Sequence, residues 1–130
     1  TPAVCFAGDG GFLMNCQELE TCARYNIPVK IFVLNNHALG MVRQWQELFW
    51  DERYSATTPQ SPCRFDALAE ALGVKGYGCD TLDELEEMLP EMMNSPGPAL
   101  VDCRIAREEL ILPMVPAGAA LKDFLHRVKV

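Results

Sequence analysis

The sequence lacks several of the patterns that assign a chain directly to a functional class. Its six cysteines include no C-x-x-C pair, and it has only two histidines, which argues against a zinc site or a thiol redox motif. The net charge is −7 and no cluster of Lys and Arg occurs, so nucleic acid is not expected as a partner. We expect neither a signal peptide nor a membrane span, because no apolar run is long enough.

What the chain does contain predicts one ordinary globular domain. Its 130 residues suffice for a core, and 49% hydrophobic with 22% charged residues is typical of soluble proteins. Reduced thiols inside a cell are favoured over a disulfide framework. The chain opens on Thr1-Pro2, without an initiator Met or a leading helix, so we expect it to be a piece of a longer protein.

Apolar runs and helical stripes alternate along the first half of the chain. Residues 3–7 form a continuous apolar run, which predicts a strand buried on both faces. A helical stripe begins near Phe12 and ends before Asn26, and residues 29–34 predict a second strand. An amphipathic helix follows, with Met41, Trp45 and their apolar neighbours on one face. This order predicts a right-handed βαβ unit in a parallel sheet.

The second half continues the same alternation. The pattern predicts a loop at 55–64, a helix at 65–72 closed by Gly73, and a strand at 74–79. A helix capped by Thr81 and Glu84 follows, which Pro90 should kink or stop, and then an edge or half-exposed strand at 99–105. The last predicted elements are an extended segment at 112–116 and a short helix with Leu121, Phe124, Leu125 and Val128. The fold class is therefore α/β, an open parallel sheet in three layers with helices on both faces.

Two polar loops follow the first two predicted strands, Gly8-Asp9-Gly10-Gly11 and Asn35-Asn36. Parallel sheets bind ligands at the carboxyl ends of their strands, so Asp9 and Asn36 can converge if the strands are neighbours. Glycines let the backbone approach phosphate oxygens, and the N-terminus of the following helix favours anions. A carboxylate and an amide oxygen suit Mg²⁺, whose remaining positions phosphates can fill. The pattern predicts a metal-bridged diphosphate site.

The segment from Gly8-Asp9-Gly10 to Asn35-Asn36, with residues 11–34 between, resembles the thiamine-diphosphate motif. The resemblance implies that Asp9, the Asn36 side chain and the backbone carbonyl of Ala38 bind Mg²⁺ or Ca²⁺. It also implies that the amides of Gly10 and Gly11 meet the diphosphate of thiamine diphosphate. The other cofactor-binding positions that it implies are Gly8, Gly40 and Met41.

Two further segments resemble the acetolactate synthase catalytic subunit, namely 39–49 with Arg53-Tyr54-Ser55, and 112–118. The resemblance implies decarboxylation of pyruvate and its condensation with a second 2-keto acid in branched-chain amino-acid biosynthesis. Met41 and Trp45 would then form the substrate pocket, although an apolar stripe at this spacing is more often core. Arg43 and Gln44 are interpreted as a solvated face of the same helix.

The resemblance also implies what this chain would need from elsewhere. In such an enzyme the activating glutamate belongs to the pyrimidine-binding domain of a second catalytic subunit, and FAD is carried by a separate central domain. The chain would be a single C-terminal thiamine-diphosphate-binding domain, residues 1–130, truncated at its N-terminal side, with no catalytic residue of its own and inactive alone. A regulatory small subunit is a possible partner, and the location would be cytoplasmic, or organellar in a eukaryote.

Two other functions are compatible with these features. One is a different thiamine-diphosphate-dependent 2-keto-acid decarboxylase or oxidase that shares both loops. The other is a non-catalytic α/β module that binds a nucleotide or a protein. Against the module, the loop at 8–11 has neither the G-x-G-x-x-G spacing of dinucleotide sites nor the G-x-x-x-x-G-K-[ST] of a P-loop.

Overall fold

A computed structural model describes residues 3–58 and 63–126 as a parallel sheet of four strands. In chain order the strands are β1 (Ala3–Gly8), β2 (Val29–Asn35), β3 (Lys75–Cys79) and β4 (Ala99–Arg104). Their order across the sheet is β1-β2-β4-β3. All three pairings are parallel, and Gly8 pairs with Leu34 at the carboxyl end of the first one. The first two loops of the chain therefore leave the same edge of the sheet side by side.

Helices cover both faces of this sheet. In chain order they are α1 (Asp9–Leu13), α2 (Glu18–Arg24), α3 (Gly40–Phe49), α4 (Phe65–Ala71) and α5 (Leu82–Asn94). Leu19 of α2 and Phe65 of α4 pack with Ile31 and Leu100 in a buried cluster on one face. Met92 of α5 packs with Phe32, Val101 and Cys103 on the other. The predicted three-layer α/β architecture is confirmed.

The predicted burial is wrong for two strands, in opposite directions. β1 is an edge strand of the described sheet, and Phe6 is 68% exposed, so the prediction that it is buried on both faces is wrong. β4 lies between β2 and β3 and is almost fully buried, so the prediction of an edge or half-exposed strand is also wrong. Asp102 made β4 look amphipathic, yet its carboxylate is buried because it has hydrogen-bond partners inside the protein.

Three predicted helices have different bounds in the structure. The first stripe is divided into α1, which begins at Asp9 and not near Phe12, and α2. Helix α5 passes through Pro90 and ends at Asn94, so Pro90 does not stop it. Pro90 and Glu86, whose carbonyl loses its helical partner there, are both exposed, and water can take the place of the missing N–H.

The last predicted helix is only a 3-10 turn at Leu121–Asp123. Leu125 instead pairs with Met114 in an antiparallel bridge, which folds the end of the chain back on itself. Val128 lies outside the described residues, as do Thr1, Pro2 and positions 59–62 of the predicted loop. In the part of the chain that is described, no helix is long and apolar enough to cross a membrane.

Candidate functional site at the carboxyl edge of the sheet

A cavity of about 380 Å³ lies at the carboxyl ends of β1 and β2. The predicted site residues that line it are Gly8, Asp9, Asn36, Ala38, Gly40 and Met41. Asp9 reaches it as the first residue of α1, and Asn36 reaches it as the residue that follows β2. Gly10 and Gly11 lie beside it, in the first turn of α1. Strand pairing thus brings both polar loops to one cavity.

The two adjacent asparagines have different environments. Asn35 is fully buried, and its Nδ2 donates to Asp102 Oδ1 at 2.9 Å. Asn36 is half-buried and lines the cavity, where its Oδ1 accepts a hydrogen bond from the Ala38 amide at 3.1 Å. A carboxamide oxygen has two lone pairs, so this bond leaves Asn36 one for a ligand. Of the pair, Asn36 is the residue available to a metal ion.

Two glycines leave room for neighbouring side chains at this edge of the sheet. A Cβ on Gly40 would stand 2.8 Å from Asn36 Nδ2, and a Cβ on Gly10 would stand 2.7 Å from Leu39 Cδ2. Both separations are shorter than real Cβ contacts allow. The absence of a side chain at position 40 therefore leaves the space in which the Asn36 carboxamide lies.

The opposite wall of the cavity comes from the segment after β4, which the sequence did not indicate as part of the site. Ile105, Ala106, Glu109, Leu110 and Ile111 line it. Gln44 of α3 fixes this segment: its Nε2 donates to the Ile111 carbonyl at 3.1 Å and to Met114 Sδ at 3.0 Å. The Ile111 amide in turn donates to Gln44 Oε1 at 2.7 Å.

Gln44 is therefore 2% exposed, and its assignment to a solvated face is wrong. Arg43 was placed on the same face, but its side chain is only 14% exposed because Glu47 and Tyr54 hold it. Both polar residues lie on the side of α3 that packs against the rest of the chain. The partners of Gln44 are distant in sequence, so no local signal marks it, whereas Glu47, four residues after Arg43 on the same helix, is a local signal that sequence reasoning missed.

Met41 and Trp45 share a face of α3 but open into different hollows. Met41 lines the cavity with Asp9, whereas Trp45 lines a separate hollow with Val42, Trp50 and Arg53. Both side chains are more than two-fifths exposed, at 47% and 43%. The structure brings Met41 to the site loops and does not bring Trp45 there.

The charge of the cavity limits what can bind in it. Its described lining contains two carboxylates, Asp9 and Glu109, and neither Lys nor Arg. A phosphorylated ligand would be repelled unless a cation came with it. Among residues 3–58 and 63–126 no three His, Cys, Asp or Glu side chains come together as a metal site. A cation here would depend on the Asp9 carboxylate, amide and carbonyl oxygens, and oxygens of the ligand, a donor set that suits Mg²⁺.

Two larger cavities lie elsewhere and fit a phosphorylated ligand less well. One of about 680 Å³ is mostly apolar and lies between the sheet and α5, beside Phe6 and Leu82. Another of about 450 Å³ contains Arg64 and Arg104, but carboxylates already neutralise both. The Arg104 guanidinium accordingly holds the pKa of Asp80 below its usual range.

The chain is similar to known proteins along most of its length. Residues 1–103 match the family described as thiamine pyrophosphate enzyme, C-terminal TPP binding domain. The chain is 46% identical over 125 residues to the acetolactate synthase isozyme 2 large subunit of Escherichia coli (strain K12), across 96% of this chain and 23% of that protein. It is 44% identical over 117 residues to the acetolactate synthase large subunit of Porphyra purpurea, across 88% of this chain and 20% of that protein.

Its fold is also that of a solved enzyme. The crystal structure of benzoylformate decarboxylase from Polynucleobacter necessarius superimposes with a TM-score of 0.78 at 26% identity, over 85% of this chain and 21% of that one. The expected resemblance to acetolactate synthase is confirmed, and the chain spans about a fifth of the length of the relatives that it matches.

Proposed function

Since the chain belongs to the thiamine pyrophosphate enzymes through their C-terminal TPP-binding domain, we propose that it binds a divalent cation and the diphosphate of thiamine diphosphate. The binding place is the cavity at the carboxyl edge of β1 and β2. One observation carries the proposal: parallel pairing of these strands, with Gly8 opposite Leu34, delivers Asp9 and Asn36 to the same cavity.

Each site residue has a proposed task. Asp9, the Asn36 carboxamide oxygen and the Ala38 carbonyl hold Mg²⁺, and the phosphate oxygens complete its coordination. The amides of Gly10 and Gly11 bind the diphosphate, and Gly8, Gly40 and Met41 complete the cofactor-binding surface. Because the described residues that line the cavity include no Lys or Arg, the cation supplies the positive charge that the diphosphate needs.

We assign the chain to an acetolactate synthase, which joins pyruvate, after its decarboxylation, to a second 2-keto acid. The two large-subunit relatives support this assignment. Thiamine diphosphate, when bound, supplies the electron sink for the decarboxylation. This chain holds and orients the cofactor, while Met41 shapes the acceptor site and Trp45, which lines a separate hollow on the same helix, shapes the route to it. The remaining domains, with FAD and a second catalytic subunit, complete the enzyme, so these 130 residues alone are expected to be inactive.

A second function, a thiamine-diphosphate-dependent decarboxylase, is favoured by one observation, the fold shared with benzoylformate decarboxylase. Product analysis on the complete encoded polypeptide separates the two. An acetolactate synthase converts pyruvate into acetolactate, whereas a simple decarboxylase releases an aldehyde from its 2-keto acid. Aldehyde release from pyruvate or benzoylformate without acetolactate would reject the first assignment.

Calorimetry on the complete encoded polypeptide tests the binding site itself. Thiamine diphosphate should bind in the presence of Mg²⁺, and neither ATP nor NAD should replace it. The Asp9→Ala change should abolish the Mg²⁺-dependent heat, because it removes the only charged ligand proposed for the cation. Glu86→Ala, which removes an exposed carboxylate of α5, is the matched control and should leave binding intact. Equal binding by the Asp9 variant would reject the proposed site.

A further inference from the structure

Asn35 and Asp102 form a buried polar pair directly beneath the proposed metal loop. They lie on the neighbouring strands β2 and β4 and are 0% and 1% exposed. Asn35 Nδ2 donates to Asp102 Oδ1 at 2.9 Å. Neither residue lines the cavity with Asp9, so neither touches the cation in the proposed site.

The pair is bonded to the loop on one side and to a helix on the other. Asn35 Oδ1 accepts a hydrogen bond from the His37 amide at 3.1 Å. Asp102 Oδ2 accepts one from the amide of Phe65, the first residue of α4, at 3.2 Å. The Asn35 carbonyl accepts a third from the Ile105 amide at 3.0 Å. The pair therefore connects the start of the loop to the segment after β4 through Asn35, and to α4 through Asp102.

The backbone that this pair holds is an unusual one. His37 has φ of 52°, a left-handed conformation that a residue with a Cβ rarely adopts unless its surroundings enforce it. The next residue, Ala38, is buried, and its amide donates to Asn36 Oδ1. The hydrogen bond from the His37 amide to Asn35 is thus one of the contacts that fix the loop between Asn36 and Ala38.

We propose that Asn35 and Asp102 are positioning residues that fix the loop presenting Asn36 and Ala38 to the cation. This inference rests on the proposed function. A buried polar pair that acted only on stability could be replaced by apolar residues of similar size at little cost. All four polar side-chain atoms of this pair are hydrogen-bonded, so the pair imposes a defined geometry on the groups that it holds.

Exchanging the two side chains separates positioning from mere burial. Asn35→Asp places two carboxylates against each other. In Asp102→Asn the new side chain has only one oxygen, so its NH₂ group faces either the Asn35 NH₂ group or the Phe65 amide, and two donors meet. In the double variant the new amide at 102 donates to the new carboxylate at 35 and accepts from the Phe65 amide. The second oxygen at 35 still accepts from the His37 amide. Every hydrogen bond is restored, with the negative charge moved by one side chain.

The experiment measures Mn²⁺ binding to the complete encoded polypeptide in the presence of thiamine diphosphate. The electron paramagnetic resonance signal of free Mn²⁺ reports how much of the ion remains unbound. Each single variant should weaken Mn²⁺ binding roughly tenfold to a hundredfold, as substitutions behind metal ligands generally do. The double variant should recover most of the loss. Met88→Ala, which removes a side chain packed against the opposite face, is the control and should lower stability without weakening Mn²⁺ binding.

Each outcome decides the matter. Single variants that bind Mn²⁺ like the wild type, or a folded double variant without recovery, would overturn the inference. If the single exchanges do not fold, Asn35→Ala, which leaves the bond from the Phe65 amide to Asp102 in place, must show the loss. If Asp9→Ala does not change Mn²⁺ binding by the wild-type protein, the proposed function fails and the inference with it.

Discussion

Gln44 and Ile111 are joined by two hydrogen bonds of opposite direction between a side-chain amide and a backbone amide group. Gln44 Nε2 donates to the Ile111 carbonyl, and the Ile111 amide donates to Gln44 Oε1. The Gln44 carboxamide thus makes with Ile111 the two hydrogen bonds that a residue of a neighbouring strand would make. An irregular segment is thereby held against α3 and forms one wall of the cavity that contains Asp9.

Replacing Gln44 with Ala should therefore release this wall. Ile111 would lose a donor and an acceptor partner, so the free energy of unfolding should fall by about 1–3 kcal/mol. Urea unfolding gives this change, and limited proteolysis should show faster cleavage near residues 106–114. Gln17→Ala, at an exposed glutamine whose side chain does not cap α2, is the control and should leave both measurements unchanged. Equal proteolysis of both variants would contradict the role of Gln44.

Gly40→Ala should damage the proposed metal site without damaging the fold. The new Cβ would lie 2.8 Å from Asn36 Nδ2, so the carboxamide has to move away. We expect Mn²⁺ affinity to fall about tenfold or more while the urea midpoint does not decrease. Val42→Ala, on the exposed face of the same helix, should leave Mn²⁺ affinity unchanged. Unaltered affinity in the Gly40 variant would exclude Asn36 as a ligand in this conformation.

Lys30 is a buried cation whose three donors are all used. Its Nζ donates to the Ser95 carbonyl at 2.8 Å, to Ser95 Oγ at 2.5 Å and to the Gly97 carbonyl at 2.6 Å. Lys30→Met keeps the length of the side chain but leaves these acceptors without a partner, so unfolding should become easier by about 1–3 kcal/mol. Lys75→Met, at an exposed lysine, should change stability little. The test is a urea titration; equal midpoints for both variants would contradict the prediction.

Alkaline pH should destabilise the protein through its buried thiols. Burial raises the pKa of Cys103 to about 12, and burial also raises the pKa of Cys79, its partner across β3 and β4. An unfolded thiol ionises near about 8.5, so the folded state binds more protons above that pH. This contribution to stability is complete below about pH 8.5 and is lost as the pH rises towards the folded pKa.

Urea midpoints between about pH 8 and 10.5 measure this loss, and Cys103→Ala should flatten their decline. Val101→Ala, a truncation on the same buried strand without an ionisable group, should lower stability at every pH and keep the wild-type decline. An identical decline in the wild type and the Cys103 variant would assign the pH dependence to other groups.

The sequence predicted the α/β alternation and the two polar loops because those features are local. An apolar run followed by Gly8-Asp9, and another followed by Asn35-Asn36, each reveal a strand and its end. Parallel pairing then places both loops at the same edge of the sheet. The elements and the proximity of Asp9 and Asn36 to one cavity followed from patterns of a few residues each.

What the sequence could not show depends on partners far along the chain. Alternating polarity in β4 resembled an edge strand because Asp102 gives no local sign that Asn35 will accompany it into the core. Gln44 resembled a surface residue for the same reason, since its partner Ile111 belongs to an irregular segment. Pro90 was expected to kink or stop a helix, yet α5 continues to Asn94, because water can replace the one N–H donor that is lost at this exposed position.

In the described part of the chain, the edge position of β1 means that the two sides of the proposed metal-binding cavity are supported unequally. Within the described residues, β1 is hydrogen-bonded along one side only, whereas β2 has a strand on each side. Asp9 therefore extends from the less supported strand, and Asn36 from one anchored in the middle of the sheet. A divalent ion held by both residues would link the edge strand β1 to the inner strand β2. Binding of the ion should therefore slow amide hydrogen exchange in β1 far more than in β2.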